Sequence, residues 1–396
     1  MKIIVLGGCG VVGSVAVKTL AANDIFSDIV IGDLSEEKAK NLISRLNTKR
    51  VSFVKVDATD PLSIKKVIKD SDVVLNCAGP FYELGFGILQ AVIDSGINYV
   101  DVCDDYDSTE KLLTLNEIAK EKSVSALIGM GSSPGIANIL VRFCAANLLD
   151  ELDSIDIYHA HGGEPEEGPA VVKHRIHSMM MDIPVFLDGN FTKVNIFKES
   201  GKALEETVEF LQIGTYKVYA YPHPETITLP KYFKVKRVTN LGTVLPPAYA
   251  ELIKDTVKSG IMKDGLSIEA AVSNIIDGRK KLLKEAGMTE PMGCLKVVVK
   301  GKKNSKNETY TFSMSSKGSG MGEGTGISAA LGASLMAKGR IDKKGVFPPE
   351  SAVKPIDIFQ MAKEMKIQGG SGLPLIVQKI DEKGNIVTIV LEKLVK

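Results

Sequence analysis

Cysteine is sparse in this chain: five residues out of 396, with no C-x-x-C pair. An odd, unpatterned set excludes a disulfide framework and points to a reducing, cytosolic compartment. Charge of one sign is also missing, since 49 Lys and Arg against 48 Asp and Glu leave a net +1. Neither a nucleic acid nor a membrane surface is therefore an expected partner, because both select a basic field. No apolar run approaches the ~18 residues of a membrane span. Ile3–Leu6 is too short for the ~7–15-residue apolar stretch of a secretory signal, so none is expected. There is no internal repeat and no low-complexity segment. H-E-x-x-H is absent as well. His174 and His177, at i and i+3 beside Lys173 and Arg175, are thus read without a metal. They form either a basic patch for a carboxylate or a solvated helix face.

What is present is an ordinary globular balance, 44% hydrophobic and 24% charged. The length allows two or three domains at ~150 residues each. Residues 1–131 alternate apolar runs with helical patterns. Strands are expected at Lys2–Leu6, Asp28–Gly32, Val51–Lys55, Val73–Cys77, Tyr99–Val102 and Ser125–Ile128. Helices are expected at Val11–Ala22, Glu36–Arg45, Pro61–Ile68, Leu84–Ser95 and Thr109–Glu121. Strict alternation predicts a parallel, doubly wound sheet with helices on both faces. After Gly131 the pattern changes. Longer strands are expected at Ser154–His159, Val185–Val194 around Asp188-Gly189, Thr207–Ile213, Lys231–Val238, Lys296–Lys300 and Tyr310–Ser315. With helices at Pro169–Met181, Ala248–Ser259 and Ile268–Glu285, this reads as an α+β domain with a mixed sheet. The Lys- and Asn-rich run Gly301–Asn307 reads as a hairpin tip.

Gly8-Cys9-Gly10-Val11-Val12-Gly13 fits G-x-G-x-x-G between a strand and a helix, the context that gives this motif meaning. Gly8 would make the tight turn, Gly10 would let the backbone approach a pyrophosphate, and Gly13 would let the helix pack on the strand. The helix start, with Val11 and Val12, offers free N–H groups to phosphates. Asp33 ends the second strand 20 residues past Gly13, where a carboxylate accepts from ribose hydroxyls and repels a 2′-phosphate. With Leu34 beside it and no nearby Arg or Lys, NAD is expected over NADP. Asp57, with Ala58, either contacts adenine or caps the helix near Pro61, as Asp60 could. Cys77-Ala78-Gly79-Pro80 either admits the ribose and nicotinamide or is a plain strand-to-helix turn. Cys9 is either a small residue under the pyrophosphate or a thiol activated by the helix start.

These residues and a series of later motifs resemble the saccharopine dehydrogenase family, which includes saccharopine reductase, lysine 6-dehydrogenase and carboxynorspermidine dehydrogenase. The motifs are Asn76–Phe81, Tyr99-Val100-Asp101-Val102, Gly131-Ser132-Ser133-Pro134-Gly135, His161–Pro165, Tyr221-Pro222-His223-Pro224-Glu225, Thr325–Ala330 and Gly345–Glu350. The resemblance implies hydride transfer between a nicotinamide and the amine carbon of a lysine-related amino acid. It implies a Rossmann domain over 1–131 and a substrate-binding, dimerising α+β domain over 132–340. The C-terminal segment 341–396 is expected to return to the Rossmann domain. Ser133, Pro134, Gly135 and His223, within these motifs, are the implied substrate residues, His174 is a further substrate candidate through its basic patch, and a homodimer is implied. Ser133, His161 and Pro224 stand where the fungal family member has Asp, Cys and Arg. Without that Arg, a three-carboxylate substrate loses a grip, which favours a smaller amine or one held by other residues.

Oxidising a C–N bond needs a group that takes the amine proton and later activates water. Asp104, after the fifth strand, is either that group or a helix cap. His161, at a loop start with an ordinary pKa near ~6.5, is either a proton carrier or a surface histidine. Tyr82 either orients substrate or packs. The run Gly318–Gly324 before a helix at Thr325–Ala337 is an anion site, a close-packing device or a lid. Two rivals remain: a non-catalytic dinucleotide-binding sensor or assembly protein on the same fold, and an enzyme acting on a carbonyl. The latter lacks the Ser-Tyr-x-x-x-Lys arrangement of short-chain reductases.

Overall fold

A computed structural model describes residues 1–46, 48–367 and 373–389. The chain divides into two compact units, one of residues 1–139 and 322–373, the other of residues 140–321 and 374–396.

The first unit opens with six strands: β1 (Lys2–Leu6), β2 (Asp28–Asp33), β3 (Val51–Lys55), β4 (Val73–Asn76), β5 (Asn98–Asp101) and β6 (Ser125–Leu127). Between them run α1 (Val11–Ala21), α2 (Glu36–Ser44), α3 (Pro61–Ile68), α4 (Phe81–Asp94), α5 (Tyr106–Leu113) and α6 (Asn116–Glu121). Strands such as β1 and β4 are almost wholly buried Val, Ile and Leu, as expected when helices cover both faces. Caps set the helix starts. The Ser35 hydroxyl accepts from the Lys38 N–H at α2, and the Asp60 carboxylate accepts from the Leu62 N–H at α3, where Pro61 takes the first helical position. The expected single helix at Thr109–Glu121 is two helices, broken at Thr114–Leu115.

The boundary between the units falls within α7 (Ile136–Asn147). The second unit carries β7 (Glu151–Gly162), α8 (Pro169–Met180), β8 (Ile183–Leu187), β9 (Asn190–Val194), α9 (Glu199–Lys202), β10 (Glu206–Phe210) and β11 (Gly214–Ala220). It continues with α10 (Glu225–Tyr232), β12 (Arg237–Leu245), α11 (Pro247–Asp255), α12 (Ile268–Glu285), β13 (Met292–Lys303) and β14 (Lys306–Lys317). Its sheet is mixed: β12 pairs with β7 in parallel, and the other pairings are antiparallel. β8 and β9 form the expected hairpin, with Asp188 and Gly189 both at positive φ. The Lys-rich run is the β13–β14 turn. The strand expected at Lys231–Val238 is instead the end of α10 followed by β12, because Pro224 and Glu225 open a helix there. Tyr249, Ile253, Val272 and Ile275 from α11 and α12 pack with Val185 and Val244 of the sheet in one apolar core.

α13 (Met321–Ala337) leads back to the first unit. β15 (Gly345–Phe347) then pairs in parallel with β6 and completes a sheet of order β15-β6-β5-β4-β1-β2-β3, and α14 (Pro349–Ala352) and α15 (Pro355–Glu364) follow. Only part of 341–396 stays there. β16 (Leu375–Ile380) pairs with β14, and β17 (Ile386–Ile389) pairs with β16. The expectation that the whole segment returns to the first sheet is thus corrected. β16 extends the sheet as an antiparallel partner of β14, with Val377 buried against it. The earlier divisions at 131 and 340 also differ from the units: residues 132–139 and 322–340 belong to the first.

Candidate active site

In the first sheet, the strand order 3-2-1-4-5-6 reverses between β1 and β4. Ligands of open α/β sheets bind in the crevice at that point, beyond the carboxyl ends of the strands. The glycine loop after β1 and the turn Cys77–Pro80 after β4 both lie there. They meet backbone to backbone. Gly7 sits at φ +69°, and a Cβ on it would lie 2.8 Å from the Ala78 Cα and N. The turn glycine is therefore Gly7 rather than Gly8. Gly8 is close-packed instead, its Cβ position 3.1 Å from the Ile31 side chain. A Cβ on Gly13 would strike the Gly7 carbonyl and lie 2.8 Å from the Gly8 Cα, so α1 closes on the loop itself. Gly10 caps α1 with no side-chain acceptor. The first-turn N–H groups, of Val11 and Val12 among them, are left to an anion.

Asp33, half-buried at the end of β2, is held in place by two backbone donors: Cys9 N–H to Oδ2 at 3.0 Å and Ser35 N–H to Oδ1 at 3.1 Å. Lone pairs on both oxygens remain for ribose hydroxyls. Leu34 beside it is exposed. Burial, then the Asp33 carboxylate, pushes the Cys9 thiol up to about 12, so it is not an activated nucleophile. Asp57 does not cap α3. Its Oδ1 accepts from the Thr59 N–H and hydroxyl, which lowers its pKa. It and half-buried Ala58 stand after β3. The Ala78 N–H is fixed by Asn76 Oδ1 at 2.9 Å, and the Asn76 amide donates to the Tyr99 hydroxyl. Gly79 leads into Pro80, which caps α4 without a side-chain bond. These residues form a cradle fitted to a dinucleotide: open N–H donors at a helix start, backbone too close for any Cβ, and a ribose-side carboxylate.

Asp104 follows β5 and is half-buried, and the helix cap of α5 is its neighbour Asp105. Tyr82 is in the first turn of α4. Burial, with Glu83, Asp105 and Asp107, raises its hydroxyl to about 12, so it stays protonated at neutral pH. Gly131–Gly135 is a closed loop. Gly131 N–H donates to the Pro134 carbonyl, and Gly135, at φ +125°, leaves no room for a Cβ against Gly131. Its N–H donates to Asn138 Oδ1, and the Asn138 amide donates to buried Glu350 at 2.9 Å. Thus residues of two later motifs meet the loop that carries half-buried Ser133: Thr325 lies 3.1 Å from a Cβ on Gly131, and Glu350 reaches the loop through Asn138.

The second unit assembles its own polar cluster. His161 is not at a loop start but inside β7, and its ring stacks near that of His159, centroids 6.0 Å apart. His159 stacks on His223 at 5.0 Å, and Tyr221 meets both edge-on. Gly242 on β12, opposite His159 in register, supplies the space for the His159 ring. Burial, then the neighbouring imidazole, lowers His159 to about 3. Burial, then the Arg175 guanidinium, lowers His161 to about 3 against a weaker opposing pull from Glu167. His223 is likewise depressed, by burial and then His159. All three rings are therefore neutral at pH 7, and the expected mid-range titration of His161 is corrected. Beside His161, Arg175 grips Glu167 Oε1 through Nε (3.2 Å) and Nη2 (2.6 Å). Tyr249 donates to the other oxygen, and Arg279 Nε stands 3.7 Å from it. Burial alone would raise the Glu167 carboxyl, but these cations and donors hold it near about 2. Half-buried His174 lies near the Ser178 hydroxyl on α8, and His177 is half-buried one turn on. Gly7, His159, Glu167, Arg279 and Asn138 escaped the reading of the sequence, and Arg175 entered it only within the basic patch beside His174. Only the Gly7-Gly8 doublet and Arg175 beside His174 offered a local signal.

Parallel strands in this order with this glycine cradle define a dinucleotide-binding α/β domain. The family model described as the saccharopine dehydrogenase NADP binding domain matches residues 3–127, and that described as the saccharopine dehydrogenase C-terminal domain matches residues 131–370. The chain belongs to the saccharopine dehydrogenase family and carries its nicotinamide-dinucleotide domain. It is 24% identical over 261 residues to a carboxynorspermidine synthase of Vibrio alginolyticus, covering 60% of this chain and 61% of that one. It is 21% identical over 378 residues to a carboxyaminopropylagmatine dehydrogenase of Synechocystis, covering 88% and 92%. The chain thus spans about three-fifths of the Vibrio relative's length. The solved apo saccharopine dehydrogenase of Saccharomyces cerevisiae shares the fold, with a TM-score of 0.69, 15% identity and coverage of 98% and 100%. Among the described residues, no helix is long and apolar enough to cross a membrane.

Proposed function

We propose that this chain is an NAD(P)-dependent oxidoreductase acting on the amine carbon of a lysine-related amino acid, with NAD preferred. The observation that carries the reading is the match to both family domains together with the Gly7–Gly13 and Ala78 cradle at the strand switch point. The bound nicotinamide would accept or supply the hydride. The chain orients the dinucleotide: α1 N–H groups meet the pyrophosphate, Asp33 the ribose hydroxyls, and Ala78–Pro80 the nicotinamide side. The Asp33 carboxylate, already aligned by two N–H groups, favours NAD through repulsion of a 2′-phosphate.

In the oxidative direction, the amine loses one proton and its carbon loses hydride, giving an imine that water opens to a carbonyl and a free amine. Asp104 is the proposed proton acceptor. His161, neutral at working pH, serves as a hydrogen-bonding ring, since its buried Nδ1 has no partner among the described residues. The relatives' names point to substrates joining a carboxylate to an aminoalkyl chain. Saccharopine, lysine and carboxylated polyamines all fit that description. Ser133–Gly135, His174 and His223 are proposed on its binding side, and a cytoplasmic homodimer is the proposed form.

The test is the purified chain with NAD or NADP and a panel of lysine, saccharopine, ornithine and carboxynorspermidine, read as reduced nicotinamide formed. Turnover of one amine, faster with NAD, is expected. Tight cofactor binding with no turnover of any amine, in either direction, would instead favour the non-catalytic sensor.

A further inference from the structure

The helix α13 carries glycine at 322, 324, 326 and 332 within 17 residues. Each glycine inside a helix costs about 1 kcal/mol relative to alanine, so four of them call for a compensating gain. Two lie at i and i+4, on one face. A Cβ on Gly322 would lie 2.7 Å from Val11 Cγ1 and 3.3 Å from the Val11 carbonyl oxygen. A Cβ on Gly326 would lie 2.6 Å from the Val12 carbonyl oxygen and 2.7 Å from Val15 Cβ. Both positions face the first turn of α1, the turn whose N–H groups point at the pyrophosphate in the reading above. Gly324 is on another face: its Cβ would meet Ser132 at an ordinary 3.7 Å. Gly332 would press on Met130, away from α1. The helix also begins at Met321, inside the glycine run rather than at Thr325. Gly322 and Gly326 are therefore a close-packing surface of α13.

We infer that Gly322 and Gly326 are positioning residues of the dinucleotide site: they let α13 brace the first turn of α1 and so fix the N–H groups that hold the pyrophosphate. They touch no ligand themselves. A side chain at Gly326 meets the α1 backbone and one at Gly322 meets the Val11 side chain, so either presses on the first turns of α1. Gly326 is the stricter of the two, because it faces a carbonyl and a β-branched Cβ, neither of which can rotate away. Gly322 faces a side chain and can be relieved. This inference rests on the proposed dinucleotide site.

The experiment is fluorescence titration of NADH and NADPH into the full chain, with melting temperature measured on the same samples. Gly326→Ala is expected to weaken binding about tenfold or more, since sub-ångström misplacement of a binding group carries such losses. Gly322→Ala should weaken it less, and Val11→Ala in the same chain should restore most of the loss relative to Val11→Ala alone. Gly324→Ala should bind as the parent does, with an unchanged or higher melting temperature. Gly332→Ala should lower the melting temperature without weakening binding. If Gly326→Ala does not fold, the Gly322→Ala pair decides. Equal weakening by Gly332→Ala and Gly326→Ala at equal loss of melting temperature would overturn the positioning role. So would parent-like binding by Gly322→Ala and Gly326→Ala. Failure of the parent chain to bind either nucleotide would instead bring down the dinucleotide site itself.

Discussion

The two sheets place their chemistry on different parts of the chain. In the first, strands of three to six residues are parallel, and what faces the crevice is mostly backbone: Gly7, Gly10, Ala78 and Gly79. In the second, strands of up to 12 residues carry the polar groups on side chains. Three neutral imidazoles and an Arg–Glu–Tyr–Arg cluster lie against the sheet's core. A backbone site is set by where a Cβ is forbidden, which is a local property. A side-chain site is set by which strands pair, which is not.

The difference breaks most sharply at Arg175. Its side chain and that of Glu167 are 3% and 6% exposed, so removing one partner strands a buried charge. Arg175→Met is expected to cost about 3–5 kcal/mol, confined to the second unit. Urea unfolding followed by hydrogen exchange in each unit would show it. Equal loss of protection in the first sheet would mean that the cluster is not local to the second.

Acid separates the units next. His159, His161 and His223 have folded pKa values below the ordinary ~6.5. The folded second unit therefore binds fewer protons than the unfolded chain as pH falls from ~6.5 towards 3, and its stability falls with it. In the first unit, burial raises buried Asp101 to about 6 against hydrogen bonds from Gly129 and Cys103. That shift has the opposite sign. Its contribution is fully present below ~3.9 and is lost as pH rises through 6. Hydrogen exchange at pH 7 and pH 5 should show the second unit loosening while the β5–β6 region holds or tightens. Uniform loosening would contradict this assignment of the buried groups.

Much of the first unit was legible in the sequence. β1, β3 and α3 fall at their expected bounds: β1 reads as a plain buried Val/Ile/Leu run, and Pro61 marks a helix start. The glycine loop between β1 and α1 was legible too, except that the turn falls on Gly7. The second unit was less so. His159 meets Gly242 only because β7 and β12 pair in parallel across 83 residues, and no local period carries that. β16 and β17 were missed, since β16 pairs with the distant β14 and β17 pairs with β16. α13 starts within its glycines because packing on α1 outweighs propensity.

The most direct measurement is competitive titration of NADH and NADPH into the parent chain, Gly13→Val and Asp33→Asn. The cradle at the switch point predicts that the parent binds NADH more tightly than NADPH. Gly13→Val should bind neither, because its side chain occupies the space of the Gly7 carbonyl. Asp33→Asn should narrow the gap between the two nucleotides. Undiminished binding by Gly13→Val, or no binding by the parent, would contradict a nicotinamide site at Gly7–Gly13.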